Sequence, residues 1–320
     1  MKSSSMSAGL LAALISAVAF STSGAFIKPL LEAGWSPVTA VTARALTAGL
    51  VLLPFVLLSL RGRWAALWRA RRRVLGMGLV GVAFTQVAYF AAIQRIPVAT
   101  ALLIEYLAPL LLVAYAWAVT RRVPRPAVLL GSVLAVGGLV LVIGPGAVRA
   151  VDPLGLVIAF CAAVGCAAYF VIAARPADGL PPVALAGAGL LLAGGVLALA
   201  GATGLLPVSA AFGDLSLFGR AVPWWLPLLI VAVVGTAAAY ATGIAASAVL
   251  GSRLASFLGL LEVVSAALLA WLLLDERLTP LQFVGGGLIL GGIAAVRTAS
   301  TAPLDAPDDA RPAALAPGRA

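Results

Sequence analysis

Histidine is absent from all 320 residues of this chain, which excludes imidazole proton relays and histidine-ligated metals. Lysine occurs only as Lys2 and Lys28, so no Walker-type phosphate loop with its lysine exists and direct ATP drive by this chain is not expected. Cysteine also occurs twice, as Cys161 and Cys166 in one apolar stretch. The pair reads as small buried hydrophobes rather than as a disulfide or a metal site. Charge is scarce, at 10% of residues, with 11 acidic side chains against 21 basic ones. With no histidine, no cysteine-centred pair and no serine–base constellation, neither enzyme chemistry nor a cofactor is indicated.

What is present is apolar. Hydrophobic residues make up 63% of the chain and the mean hydropathy is +1.13. Residues 74–94, 126–148, 183–213 and 278–296 carry no charge, and each run approaches or exceeds the roughly 20 residues that cross a bilayer as a helix. A β-barrel would show short segments of alternating polarity, and none stands out. The pattern predicts an all-α integral membrane protein with ten spans, near 8–27, 37–60, 74–94, 98–119, 127–145, 154–173, 183–203, 223–246, 249–273 and 281–297. The first span resembles a signal peptide, but its partner in the repeat described below argues that it is retained. The letters "GMGLVG" at 76–81 fit a dinucleotide fingerprint, yet they follow Arg71-Arg72-Arg73 and open an apolar helix. Close helix packing explains these glycines, and those of "VGGGLILGG" at 284–292, better than a cofactor does.

The net charge of +10 is not spread as a nucleic-acid surface would be. With ten spans and a cytoplasmic amino terminus, thirteen basic residues bordering the spans fall inside, among them Lys2, Arg61, Arg63, Arg121, Arg122 and Arg253. Five fall outside: Lys28, Arg95, Arg149, Arg220 and Arg277. The positive-inside rule then places both termini in the cytoplasm and the chain in the cell (plasma or inner) membrane. The loop "RGRWAALWRARRR" at 61–73 reads as an amphipathic segment on anionic lipid headgroups, with Trp64 and Trp68 at the interface. Residues 1–7 form a short cytoplasmic start, and 298–320, rich in Ala, Pro and Asp, read as a disordered tail. Whether two copies form a homodimer is left open.

The chain also repeats itself. At an offset of 154, Ala116-Trp117 falls on Ala270-Trp271, Pro126 on Pro280, Gly131 on Gly285, and Gly137-Gly138 on Gly291-Gly292. At an offset of 145, Pro37 falls on Pro182 and Ala48-Gly49 on Ala193-Gly194. The spans therefore divide into two halves of five helices, 8–145 and 154–297. Five is odd, so the second half is inverted, the architecture of many secondary transporters with a central site between the halves.

At this point the chain resembles the ten-helix drug/metabolite transporters with paired EamA domains, over essentially residues 8–297. The resemblance rests on "TARALTAGLVLLPF" in helix 2, "YLAPLLLVAYAW" in helix 4 and "LLEVVSAALLAWLLLDERLTPLQFVGGGLILGGIAAV" in the second half, with its acidic turn Asp275-Glu276-Arg277. It implies a gradient-driven or proton-driven carrier exporting amino acids, related metabolites or drugs. Two departures matter. Val263 stands where the family commonly has proline, which removes the usual cause of a bend in helix 9. Thr120-Arg121-Arg122 ends helix 4 where the second half keeps its acidic pair.

Three ionisable residues lie within spans: Arg44, Glu105 and Glu262. Intramembrane charge is costly and usually faces a bundle interior or a water-filled cavity. Glu105 maps to Gly259, nearly one turn from Glu262 on the same face, so each half offers one acid from its fourth helix. These acids are candidates for proton coupling or amine binding; the alternative is a protonated glutamate bridging helices or an ion pair with Arg44. For Arg44 itself, a shallow, snorkelling or phospholipid-binding position is the expectation. Gln86, Tyr89 and Tyr106 are expected beside Glu105, with Tyr169 and Tyr240 contributed by the second half. Trp117 and Trp271 read as interfacial anchors. The alternatives to a metabolite exporter are a small-multidrug-type exporter of hydrophobic cations and a non-transport scramblase, channel or scaffold.

Overall fold

The computed structural model describes residues 2–96, 98–144, 152–175, 179–274 and 279–301. Lipid offers the backbone no outside partner, so the uncharged runs satisfy their own N–H and C=O groups as helices. The spans are α1 (Lys2–Glu32), α2 (Pro37–Ser59), α3 (Arg71–Ile93), α4 (Val98–Glu105 and Ala108–Thr120), α5 (Pro126–Ile143), α6 (Pro153–Ala174), α7 (Pro182–Ala202), α8 (225–250), α9 (252–259 and Leu261–Leu274) and α10 (Pro280–Thr301). Among the described residues nine helical runs are long and apolar enough to cross a membrane, with α8 and the first part of α9 forming one run, Trp225–Gly259. The tenth span is the remainder of α9. The division within that run falls at Gly251, whose φ of 78° and ψ of 163° are open to glycine and strained for other residues. The expected end of α8 at 246 and start of α9 at 249 therefore move by a few residues. The acidic turn Asp275-Glu276-Arg277 and residues 302–320 of the tail lie outside the described residues.

Four pairs of helices cross between the halves. α2 packs on α7, α5 on α10, α1 on α8 and α3 on α6, and the last two pairs are images of each other under the repeat. Small residues permit the close approach. A methyl at Gly138 would meet the Gly285 carbonyl oxygen, and one at Gly131 the Gly292 carbonyl oxygen, so α5 and α10 touch through their backbones. The fourth helices are placed differently: α4 rests on α6, α9 rests on α1, and the two meet through Tyr106 and Val113 against Leu254 and Phe257.

The repeat extends to irregularities. α3 widens into a π-helix over Met77–Phe84 and α8 over Val233–Ala238. Gly81 and Gly235, an offset of 154 apart, sit in these segments. A threonine hydroxyl at the end of the first, Thr85, reaches back five residues to the Val80 carbonyl at 2.8 Å, and one within the second, Thr236, to the Val231 carbonyl at 2.9 Å. α4 and α9 break at matching places. Pro109 has no N–H for the Glu105 carbonyl, and α4 opens at Tyr106 and Leu107. α9 opens at Leu260 without a proline, because the Val263 N–H turns to the Leu260 carbonyl at 3.1 Å instead of reaching Gly259. The helix thus opens there although Val263 removes the usual cause.

One feature has no sequence signal in the spans. Between α7 and α8, β1 (Asp214–Leu217) pairs antiparallel with β2 (Arg220–Pro223). Beside this hairpin the Trp35 indole N–H donates to the Ala211 carbonyl at 2.8 Å, and the Trp35, Phe212 and Trp224 rings pack together. The face opposite the termini is therefore stitched from both halves.

Candidate functional site

The two helix breaks set the site. A broken helix leaves backbone groups without intrahelical partners, and here each break carries an acid. Glu105 is the last residue of the first part of α4, and Glu262 lies in the first turn of the second part of α9. Both carboxyls are half-buried, although they sit deep in the bundle. α2 brings Arg44 toward them from about two turns below its own start. Arg44 is only 8% exposed, so its side chain does not snorkel out of the bundle as expected.

The three charges act on one another through the interior, yet they do not pair. The Arg44 Nη2 donates to the Gln86 side-chain oxygen at 2.7 Å. Among the described residues the salt bridges are Lys28–Glu32 and Arg95–Asp152, both exposed. The alternative of an Arg44–glutamate ion pair is therefore not what the structure contains. Gln86 fixes one edge of the guanidinium, and the charge itself is left without a carboxylate. Tyr106 faces Glu262 across the α4–α9 contact, within electrostatic reach of it. Tyr89, half-buried one turn beyond Gln86, lies within electrostatic reach of both acids.

Tyr240 and Tyr169 join the group in a different way. They are 5% and 7% exposed and pack edge-on to each other at 5.6 Å. Phe20 continues the stack from Tyr240, and Phe170 continues it from Tyr169, each at 5.0 Å. This aromatic chain links α1, α8 and α6, and the Phe170 ring lies against Gly259 at the α9 break. Cys166 also reaches the group, within electrostatic reach of both glutamates. The sequence reading left Cys166 aside as a buried hydrophobe. Its position one turn before Tyr169 on α6 was the available signal. Both cysteines are free thiols, and among the described residues no cluster of metal-ligating side chains exists.

Chemically, a fixed cation and two acids in a low-dielectric interior, apart from one another, can receive opposite charges at separate points. Away from the cluster, Trp117 is 50% exposed, as an interfacial or lipid-facing ring would be. Nothing is described of the Trp271 side chain.

A family model described as the EamA-like transporter family matches residues 7–144 and 153–298. An uncharacterized transporter of Archaeoglobus fulgidus is 27% identical over 285 residues, covering 89% of this chain and 94% of its own. A solved crystal structure of a protein superposes with a TM-score of 0.71 at 22% identity, over 92% of this chain and 98% of the other. At that identity the likeness is one of fold.

Proposed function

The chain belongs to the EamA-like transporter family, and from that premise we propose that it is a proton-coupled secondary carrier exporting amino acids or related small metabolites by alternating access. The observation that carries the reading is the buried Arg44 guanidinium, bonded to Gln86 but to no carboxylate, set among two acids at the breaks of the two fourth helices. A zwitterion suits it. Its carboxylate would take the free edge of the Arg44 fork, and its ammonium group would take a glutamate. A proton would take that glutamate when the site is empty, which is how one site can couple two gradients. Inverted repeats with broken helices near the midplane support rocking of α4 and α9 about the scaffold of paired helices.

The orientation with both termini cytoplasmic rests on the distribution of arginines. Support for lipid contact comes from the short helix Trp64–Arg69, whose Trp64 and Trp68 are 54% and 71% exposed. The second reading, an exporter of hydrophobic cations, draws on the same acids and tyrosines. Arg44 disfavours it, because a cation entering the site would face an unneutralised guanidinium.

Competition in inside-out vesicles separates the two. Uptake of a labelled amino acid should saturate and be displaced by other amino acids, with a fluorescent aromatic cation ineffective. Saturable cation uptake that ignores amino acids would replace the first reading by the second. Counterflow of labelled solute against unlabelled distinguishes either carrier from a channel.

A further inference from the structure

Outside the charged cluster, the seam where α1, α6 and α8 meet holds two hydroxyls without partners. The Tyr169 hydroxyl and the Ser247 hydroxyl are buried and make no hydrogen bond among the described residues. Ser247 is 0% exposed. Such a group has given up its hydration without a bond in exchange, which buried hydroxyls in folded proteins rarely do. Beside them Gly243 leaves a notch. The position of a methyl there is 2.7 Å from the Ser16 hydroxyl oxygen and 2.8 Å from the Tyr169 hydroxyl oxygen, so any side chain at 243 would collide with both. The two oxygens are not bonded to each other, because Ser16 donates to the Ala239 carbonyl at 2.8 Å and Tyr169 has no partner. Both lie within 2.8 Å of that one point, so they are at most 5.5 Å apart, and one water can bridge such a span with two ordinary O–H···O bonds. Such a water would accept from the Tyr169 hydroxyl and donate to the free lone pairs of Ser16, and the site is polar on that side.

We propose that the Gly243 notch binds one water between Tyr169 and Ser16, and that this water lies on the route of protons between the central carboxyls and the face bearing the termini. The placement gives the direction. Tyr169 packs edge-on against Tyr240 of α8 at 5.6 Å, and the adjacent Phe170 ring lies against Gly259, three residues before Glu262 on α9. Ser247 follows Gly243 by one turn toward the far end of α8, where Gly251 and Arg253 begin the next connection. Along such a route each oxygen takes one proton and releases another, so neither hydroxyl keeps a charge. This role rests on the proton-coupled reading above; the water site itself does not.

The full chain in nanodiscs tests both parts. Radiolytic hydroxyl-radical labelling modifies side chains beside bound water, so Tyr169 should be labelled promptly despite its burial. Filling the notch with Gly243→Ala should lower that labelling several-fold, and Ser16→Ala should lower it less. No labelling of Tyr169 in the parent protein, or equal labelling in parent and Gly243→Ala, overturns the water site. For the route, Ser16→Ala removes the other anchor of the water without touching the charged cluster. Gradient-driven flux should fall several-fold while solute counterflow stays at the parent rate. Both falling together would make Ser16 a packing residue, and neither changing would take the water off the route. A parent protein that shows neither flux nor counterflow refutes the carrier reading instead, with the labelling result still deciding the water.

Discussion

Arg44 is the residue on which the substrate chemistry turns. Its charge is held at one edge by Gln86, and its remaining donors are directed by the planar fork rather than by a point charge. Arg44→Lys should therefore keep the chain folded and weaken amino-acid binding at least 10-fold, read from equilibrium binding; an unchanged Kd would place the carboxylate elsewhere. A surface pair supplies a pH test. The Arg95 guanidinium, with the Leu154 N–H, holds the Asp152 carboxyl below the usual carboxylate range. A carboxyl lowered in the folded state adds stability above its unfolded pKa of roughly 4, and this is lost as pH falls through the folded value. Asp152→Asn should thus melt slightly earlier than the parent at pH 7 and converge with it in strong acid. A constant difference across pH would contradict the assignment. Of the residues singled out from sequence, Glu105, Glu262, Gln86 and Tyr106 were legible because a charge or polar group in an apolar run needs a reason. Arg44 was misjudged, since depth along a helix does not show which neighbour lies beside it. Cys166 was missed because a thiol carries no such cost.

At the scale of elements, the breaks in α4 and α9 separate what local chemistry determines from what packing determines. Pro109 announces its break directly, through the missing donor to Glu105. The α9 break has no such cause in its own residues; the Val263 N–H is free to continue the helix and does not. Pairing, by contrast, was readable in kind but not in detail: spaced glycines mark crossings without naming partners. Pro109→Ala restores a donor to the Glu105 carbonyl, so we expect thermal stability equal to or above the parent and a several-fold loss of transport rate. A faster carrier would mean that the open turn is not used. Gly285→Leu forces a side chain onto the Gly138 carbonyl and should destabilise the fold by about 1–3 kcal/mol in detergent unfolding, unless α5 and α10 do not cross there. The small hairpin Asp214–Pro223 had no signal at all, because two short strands held by Trp35 and its neighbours depend on partners from α1 and α8.

For the whole molecule, two inverted halves interlock through four helix pairs, and the fourth helices carry the acids on the less tightly paired elements. Helix count, the all-α class and the two repeats follow from charge-free runs and an odd number of spans, which is why they could be read without coordinates. The geometry between halves could not, because its contacts join residues far apart in the chain, 57 positions for Arg95–Asp152 and 223 for Ser16–Ala239. The central claim is that Glu105 couples solute movement to protons from within this frame. It is tested most directly by comparing the parent with Glu105→Gln in inside-out vesicles, with amino-acid counterflow and uptake under an imposed proton gradient measured on the same preparations. The account predicts that Glu105→Gln stays folded, retains a weakened counterflow for want of the ammonium group's partner, and loses its acceleration by the gradient altogether. Gradient-driven uptake in Glu105→Gln equal to that of the parent would contradict it.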